Sequence, residues 1–176
     1  SNLSLVAESG TYGASIYAMA VDDNYVYVGG SAAQTVRKLY KSDISQAAAE
    51  SADYGGNIRA IATDDEFIYI GGETTQTVRK LKKSNLSLVA ESTRYGGNIY
   101  AIATDNEFVY VGGDTTQTVR RLRKIDLSRV DESASYGGNI YAMATDGELV
   151  YVGGATTQNV RVIENRDLIR IIRRYQ

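Results

Sequence analysis

The chain of 176 residues is 43% hydrophobic and 23% charged with a formal net charge of −2, a balance that builds a packed core and excludes both disorder and a nucleic-acid binder held by bulk positive charge. It has no His and no Cys, which removes imidazole bases, Ser-His-Asp triads, thiolate nucleophiles, disulfides and the usual zinc sites. No apolar run approaches the roughly 18 residues of a membrane span, and the aromatic surface is almost all phenol, with 14 Tyr against two Phe and no Trp.

The chain opens at Ser1, without an initiator Met and inside a repeat, and is expected to be a processed or excised piece of something longer. From Leu3 onward one unit recurs every 41 or 42 residues, the extra residue falling in Ala47-Ala48-Ala49. The copies run over about 3–43, 44–85, 86–126 and 127–167, with a divergent strand at 168–176, and 1–176 is expected to be a single domain. Each copy opens its first strand after Tyr-Gly-Gly-Asn-Ile, at Tyr54, Tyr95 and Tyr136, with Tyr12-Gly13-Ala14-Ser15-Ile16 as the variant. Gly-Gly pairs close the second strand at Gly29, Gly71, Gly112 and Gly153. The second and third copies differ at seven of the thirty positions from Tyr54 to Lys83 against Tyr95 to Lys124, as after recent duplication or by design.

In the third copy the expected strands are Ile99 to Thr104, Phe108 to Gly112, Thr118 to Arg123 and, borrowed from the next copy, Leu127 to Ser133. Asp105-Asn106-Glu107 is a hairpin turn between the first two. No segment keeps a 3.6-residue apolar period. The first strand is apolar on both faces and rich in Ala, the second bulkier, and the last two increasingly charged. That gradient fits strands stacked outward from a crowded axis. Four strands in 41 residues is the period of an all-β propeller of four-stranded antiparallel blades, whereas a β-solenoid has shorter coils and no such gradient. Ile99-Tyr100-Ala101-Ile102-Ala103-Thr104-Asp105 followed by Tyr110-Val111-Gly112-Gly113 resembles blades of the WD-repeat, quinoprotein-like and YVTN-type group. The repeats are also similar to recently amplified propeller segments of bacterial and phage proteins, which implies a module of a tail or surface appendage. The Gly-His and Trp-Asp signatures of WD repeats and the tryptophans of quinoprotein blades are missing.

In such a fold the loop before the first strand and the loop between the second and third open on one face. Tyr54, Asn57, Thr75 and Gln76 then share a rim with Tyr95, Asn98, Thr116 and Gln117 and with Tyr136, Asn139, Thr157 and Gln158. Phenols beside amides and hydroxyls suit a carbohydrate or other polyhydroxylated surface ligand. The same residues have structural uses: Tyr packing between blades, Gly supplying positive φ, and Asn or Thr satisfying loop backbone. The first copy carries Ala14-Ser15 and Ala32-Ala33 in place of Gly-Asn and Thr-Thr, so it is expected to bind poorly or to be an edge blade. The opposite face collects Asp22-Asp23, Asp64-Asp65-Glu66, Asp105-Asn106-Glu107 and Asp146 with Glu148, read as solvated turns rather than Ca²⁺ ligands. Arg37-Lys38, Arg79-Lys80, Lys82-Lys83, Arg120-Arg121 and Arg123-Lys124 are expected to form a soluble basic circumference.

Four blades face five candidate outer strands: Leu3 to Ser9, Ile44 to Ser51, Leu86 to Ser92, Leu127 to Ser133 and Leu168 to Tyr175. Either end completes the last blade, or two chains exchange terminal strands into an eight-bladed homodimer, or the four blades are a fragment of a larger array. The expectation is thus a non-enzymatic, lectin-like recognition module without cofactor or metal, or else a structural or engineered scaffold without ligand. Nucleic-acid and membrane partners are not expected.

Overall fold

The computed structural model describes residues 3–31, 34–156 and 159–165, and among these the chain forms fifteen β-strands and no helix. They make four antiparallel sheets, one per repeat. Blade 1 is β1 (Ile16–Val21), β2 (Tyr25–Gly30), β3 (Arg37–Tyr40) and β4 (Ala47–Glu50), in that spatial order. Blade 2 is β5 (Ile58–Thr63), β6 (Phe67–Gly72), β7 (Arg79–Lys82) and β8 (Leu88–Glu91). Blade 3 is β9 (Ile99–Thr104), β10 (Phe108–Gly113), β11 (Arg120–Arg123) and β12 (Arg129–Glu132). Blade 4 is β13 (Ile140–Thr145), β14 (Leu149–Gly154) and β15 (Arg161–Glu164), with no fourth strand among the described residues.

The outer strands are shorter than the pattern predicts, for a local reason. Gln117 and Leu127 hold φ of 54° and 58°, a left-handed conformation that interrupts a strand. Val119 is instead fixed by Ser133, whose Oγ accepts the Val119 N–H at 2.9 Å while its own N–H donates to the Val119 carbonyl at 2.9 Å. Residues 3–10 carry no strand, so the expected strand Leu3 to Ser9 is not formed within this chain. The expected strand Leu168 to Tyr175 lies outside the described residues.

Each hairpin turn is organised by one carboxylate. Asp64 Oδ1 accepts the N–H of Glu66 and Phe67 at 3.1 and 2.8 Å, and its Oδ2 accepts the Tyr69 hydroxyl at 2.8 Å. Asp22, Asp105 and Asp146 repeat this with Tyr27, Tyr110 and Tyr151. The acidic turns are therefore built into the strands rather than simply solvated.

Blades stack through apolar faces. Tyr27 and Val36 of blade 1 bury against Ile58, Ile68 and Ile70 of blade 2, and Tyr69 and Val78 of blade 2 bury against Ile99, Val109 and Val111 of blade 3. Tyr110 and Val119 meet Ile140, Val150 and Val152 in the same way. A polar latch closes the rim of the first two interfaces, where Lys83 Nζ reaches Asp22 at 3.2 Å and Lys124 Nζ reaches Asp64 at 2.9 Å, and at the third Asn165 Nδ2 donates to Asp105 at 3.3 Å. Lys38 and Lys80, expected on the circumference, are buried and donate across the interface to the Lys83 and Lys124 carbonyls at 2.6 and 2.7 Å. Arg120 and Arg121 are buried too. Third strands sit inside the stack, so their long side chains become interblade struts.

Burial would raise the Asp22 carboxyl, but the Tyr27 hydroxyl, the Asn24 and Tyr25 amides and Lys83 outweigh it and hold it at about 2. Asp64 is lowered by the same balance, with burial opposed chiefly by Lys124. Lowered folded values mean stability that is present above the unfolded carboxylate value and lost as pH falls through the folded one. Thermal midpoints followed by circular dichroism are expected to drop between about pH 4 and pH 2, with a shallower drop in Asp22→Asn. Tyr27, Tyr69 and Tyr110 are raised, first by burial and then by their Asp partners. Their contribution is whole below the ordinary phenol value and is lost as pH rises beyond about 10.

Candidate functional site

The two predicted loops do adjoin on one face. The Glu73, Asp114 and Ala155 N–H groups donate to the Asn57, Asn98 and Asn139 carbonyls at 2.9, 3.1 and 2.9 Å. Gly55 and Gly96 take φ of 87° and 97°, facing Thr75 and Thr116, and only glycine adopts this turn without strain.

The predicted residues divide sharply. Tyr54, Tyr95 and Tyr136 are 0%, 2% and 3% exposed, and their hydroxyls donate to the Thr77, Thr118 and Asn159 carbonyls at 2.6 Å each. Their rings pack between blades and offer no face to a ligand. Gln76 and Gln117 hold φ of 57° and 54°, and their carbonyls accept the Tyr95 and Tyr136 N–H at 2.7 and 2.6 Å. Thr75 and Thr116 are half-buried, with N–H groups turned to the Glu73 and Asp114 carbonyls at 2.8 and 2.7 Å. Thr157 and Gln158 lie outside the described residues.

Asn57, Asn98 and Asn139 stay at the rim, each tied to a neighbour. Asn57 donates to Glu73 at 2.6 Å, Asn98 to Asp114 at 3.0 Å, and Asn139 to the Tyr141 hydroxyl at 3.0 Å. These bonds lead to four residues outside the predicted set: Tyr17, Arg59, Tyr100 and Tyr141, which line an open recess of about 370 Å³. The Arg59 guanidinium lies 3.6 Å from the Tyr17 ring centroid and donates from Nε to Glu73 at 2.7 Å. Tyr100 and Tyr141 meet at 5.3 Å with their planes tilted by 46°. The Tyr100 hydroxyl is 3.1 Å from Asp114, and burial followed by that carboxylate raises the phenol against the opposing Asn98 bond.

A backbone irregularity brings these four together. The pairing of the first two strands shifts register between Ile16 and Ala18, between Ile58 and Ala60, and between Ile140 and Ala142, and opposite Ile99 and Ala101. The skipped residue is Tyr17, Arg59, Tyr141 or Tyr100, and a β-bulge re-aims the side chain it skips. Sequence reasoning read this strand as apolar on both faces and so passed over the residue. The available signal was a large polar-tipped side chain at one fixed place in an otherwise Ala-Ile strand.

No family model matches the chain, and no curated protein matches it. Solved structures do. The computationally designed Ika4 protein aligns with a TM-score of 0.78 at 16% identity, over 91% of this chain and 99% of that one. The computationally designed Ika8 protein aligns at 0.76 and 17% identity, over 89% of this chain and 48% of that one. The structure of U3-55K aligns at 0.78 and 12% identity, over 90% and 51%. The chain thus spans about half the length of the last two. At these identities the likeness is one of fold, and the fold is that of β-propeller blades.

Proposed function

We propose that the protein is a non-enzymatic propeller recognition module that takes a polyhydroxylated ligand, a surface glycan, at the recess of Tyr17, Arg59, Tyr100 and Tyr141. One observation carries this reading: the same bulge in four successive blades turns three phenols and one guanidinium into a single recess. Phenol rings stack on the C–H faces of a sugar, while Arg59 and the rim amides match its hydroxyls. Four equivalent Asp–Tyr turns supply no asymmetric pair of carboxylates, and this supports a binding role over catalysis.

A glycan array followed by titration tests the reading. Each aromatic contact is worth about 0.5–1.5 kcal/mol, so Tyr100→Ala with Tyr141→Ala should weaken a bound glycan by about tenfold or more. Binding lost in Thr75→Ala/Thr116→Ala but kept in the tyrosine pair would move the site to the loops. An array that retains no glycan leaves the scaffold reading standing instead.

A further inference from the structure

Every interface between successive blades has two halves, and among the described residues both halves recur without a mate on the first and last blades. A Cβ built on Gly29, Gly71 or Gly112 would meet Cγ2 of Ile58, Ile99 or Ile140 at 2.6, 2.7 and 2.7 Å, so each isoleucine seats on a glycine of the preceding blade. At the chain's ends Gly153 faces nothing within 4 Å, while Ile16 is 48% exposed. Val36, Val78 and Val119 are buried, yet Val160 at the same place in blade 4 is 69% exposed. The latch is divided likewise. Lys41 stands on blade 1 where Lys83 and Lys124 stand on blades 2 and 3, and exposed Asp146 stands on blade 4 where Asp22 and Asp64 hold those lysines.

The fourth strand that blade 4 lacks among the described residues points the same way. Residues 1–9, Ser-Asn-Leu-Ser-Leu-Val-Ala-Glu-Ser, are identical to residues 84–92, which contain β8. There Glu91, at the end of β8, pairs with Arg79 at 3.3 Å, and Ser92 Oγ just beyond it accepts the Val78 N–H at 2.9 Å. Glu8 and Ser9 occupy those places, and Arg161 and Val160 of blade 4 are the counterparts of Arg79 and Val78. Leu86 is buried among Tyr27, Val36, Tyr54 and Leu81. Their blade-3 and blade-4 equivalents, Tyr110, Val119, Tyr136 and Ile163, line a cavity of about 590 Å³, and Leu3, the equivalent of Leu86, is fully exposed. At the other end of the sequence, Arg173 and Arg174 stand where the repeat has Glu and Ser, so that segment does not carry the Glu of the repeat.

We propose that a second copy of this chain completes blade 4. Its residues 3–9 add the fourth strand beside β15, with Leu3 in the cavity, Glu8 on Arg161, Ile16 on Gly153 and Lys41 on Asp146. The reciprocal contacts close a two-fold symmetric ring of eight blades. The mate is a second chain because the first is arranged as an open arc. β1 packs on β5, β5 on β9 and β9 on β13, with no comparable contact from β13 back to β1.

Two measurements on the 176-residue protein test this. The solution mass across a dilution series should be twice the 19.2 kDa of one chain, and Gly153→Phe, at a position where a Cβ meets nothing within 4 Å, should return it to one chain with an unchanged circular dichroism spectrum. Lys41→Glu should raise the dimer Kd about tenfold. The Glu8→Cys/Arg161→Cys variant, in a chain with no native Cys, should run as a disulfide-linked dimer on a non-reducing gel. A single-chain mass, a disulfide-closed monomer, or a dimer indifferent to Gly153→Phe would each overturn the proposal.

Discussion

Tyr95→Ala is expected to lower the unfolding free energy by about 3–5 kcal/mol, the range for removing a large buried aromatic side chain. The ring lies between blades 2 and 3 among Tyr69, Val78, Val109 and Leu122. Its hydroxyl donates to the Thr118 carbonyl at 2.6 Å, and the Arg120 guanidinium lies 5.1 Å from its centroid. Truncation therefore opens a void, leaves a carbonyl unpartnered and removes the surface on which a mostly buried arginine rests. Urea unfolding separates these terms. Tyr95→Phe keeps the packing and should cost only about 0.5–1.5 kcal/mol for the lost hydrogen bond. A Tyr95→Ala midpoint close to that of the parent would show that the tyrosine is not the interblade wedge described above.

Gly113→Ala is expected to be nearly as damaging, at about 3 kcal/mol, though it adds a single methyl group. A Cβ there would lie 1.8 Å from the Asn98 carbonyl oxygen and 2.9 Å from its carbon. Both are backbone atoms, and that oxygen already accepts the Asp114 N–H at 3.1 Å. The clash has no flexible side chain to absorb it, so relief means opening the bulge that aims Tyr100 into the recess. Gly10→Ala, with nothing within 4 Å, is the matched control and should be neutral. In the same urea experiment, a Gly113→Ala midpoint equal to that of Gly10→Ala would contradict the tight strand contact.

Much of the architecture was legible because it repeats. The spacing of the Tyr-Gly-Gly-Asn and Gly-Gly motifs marks four units, and the strand at Ile99–Thr104 was readable to the residue. Outer strands were overextended because positive φ at Gln117 and Leu127 leaves no composition signal in residues other than Gly, Asn or Asp. The tyrosines of the Tyr-Gly-Gly-Asn loops were assigned to a rim because phenols serve burial and recognition equally well. A hydroxyl donated to a carbonyl 23 residues away settles which use applies at Tyr54, Tyr95 and Tyr136.

The basic pairs show the same limit. Lys38 and Lys80 follow the pattern of a charged edge strand, but their ammonium groups reach a carbonyl on the next blade, a partner 45 or 44 residues on. By itself the sequence determined the unit, its strand order and its inner-to-outer gradient, since period, turn chemistry and hydrophobic alternation are local properties of the chain. Only the tertiary structure decided which side chains line the recess and which blade faces stay open among the described residues. Bulge direction and blade-to-blade contact join residues roughly forty positions apart, and no local pattern carries that information.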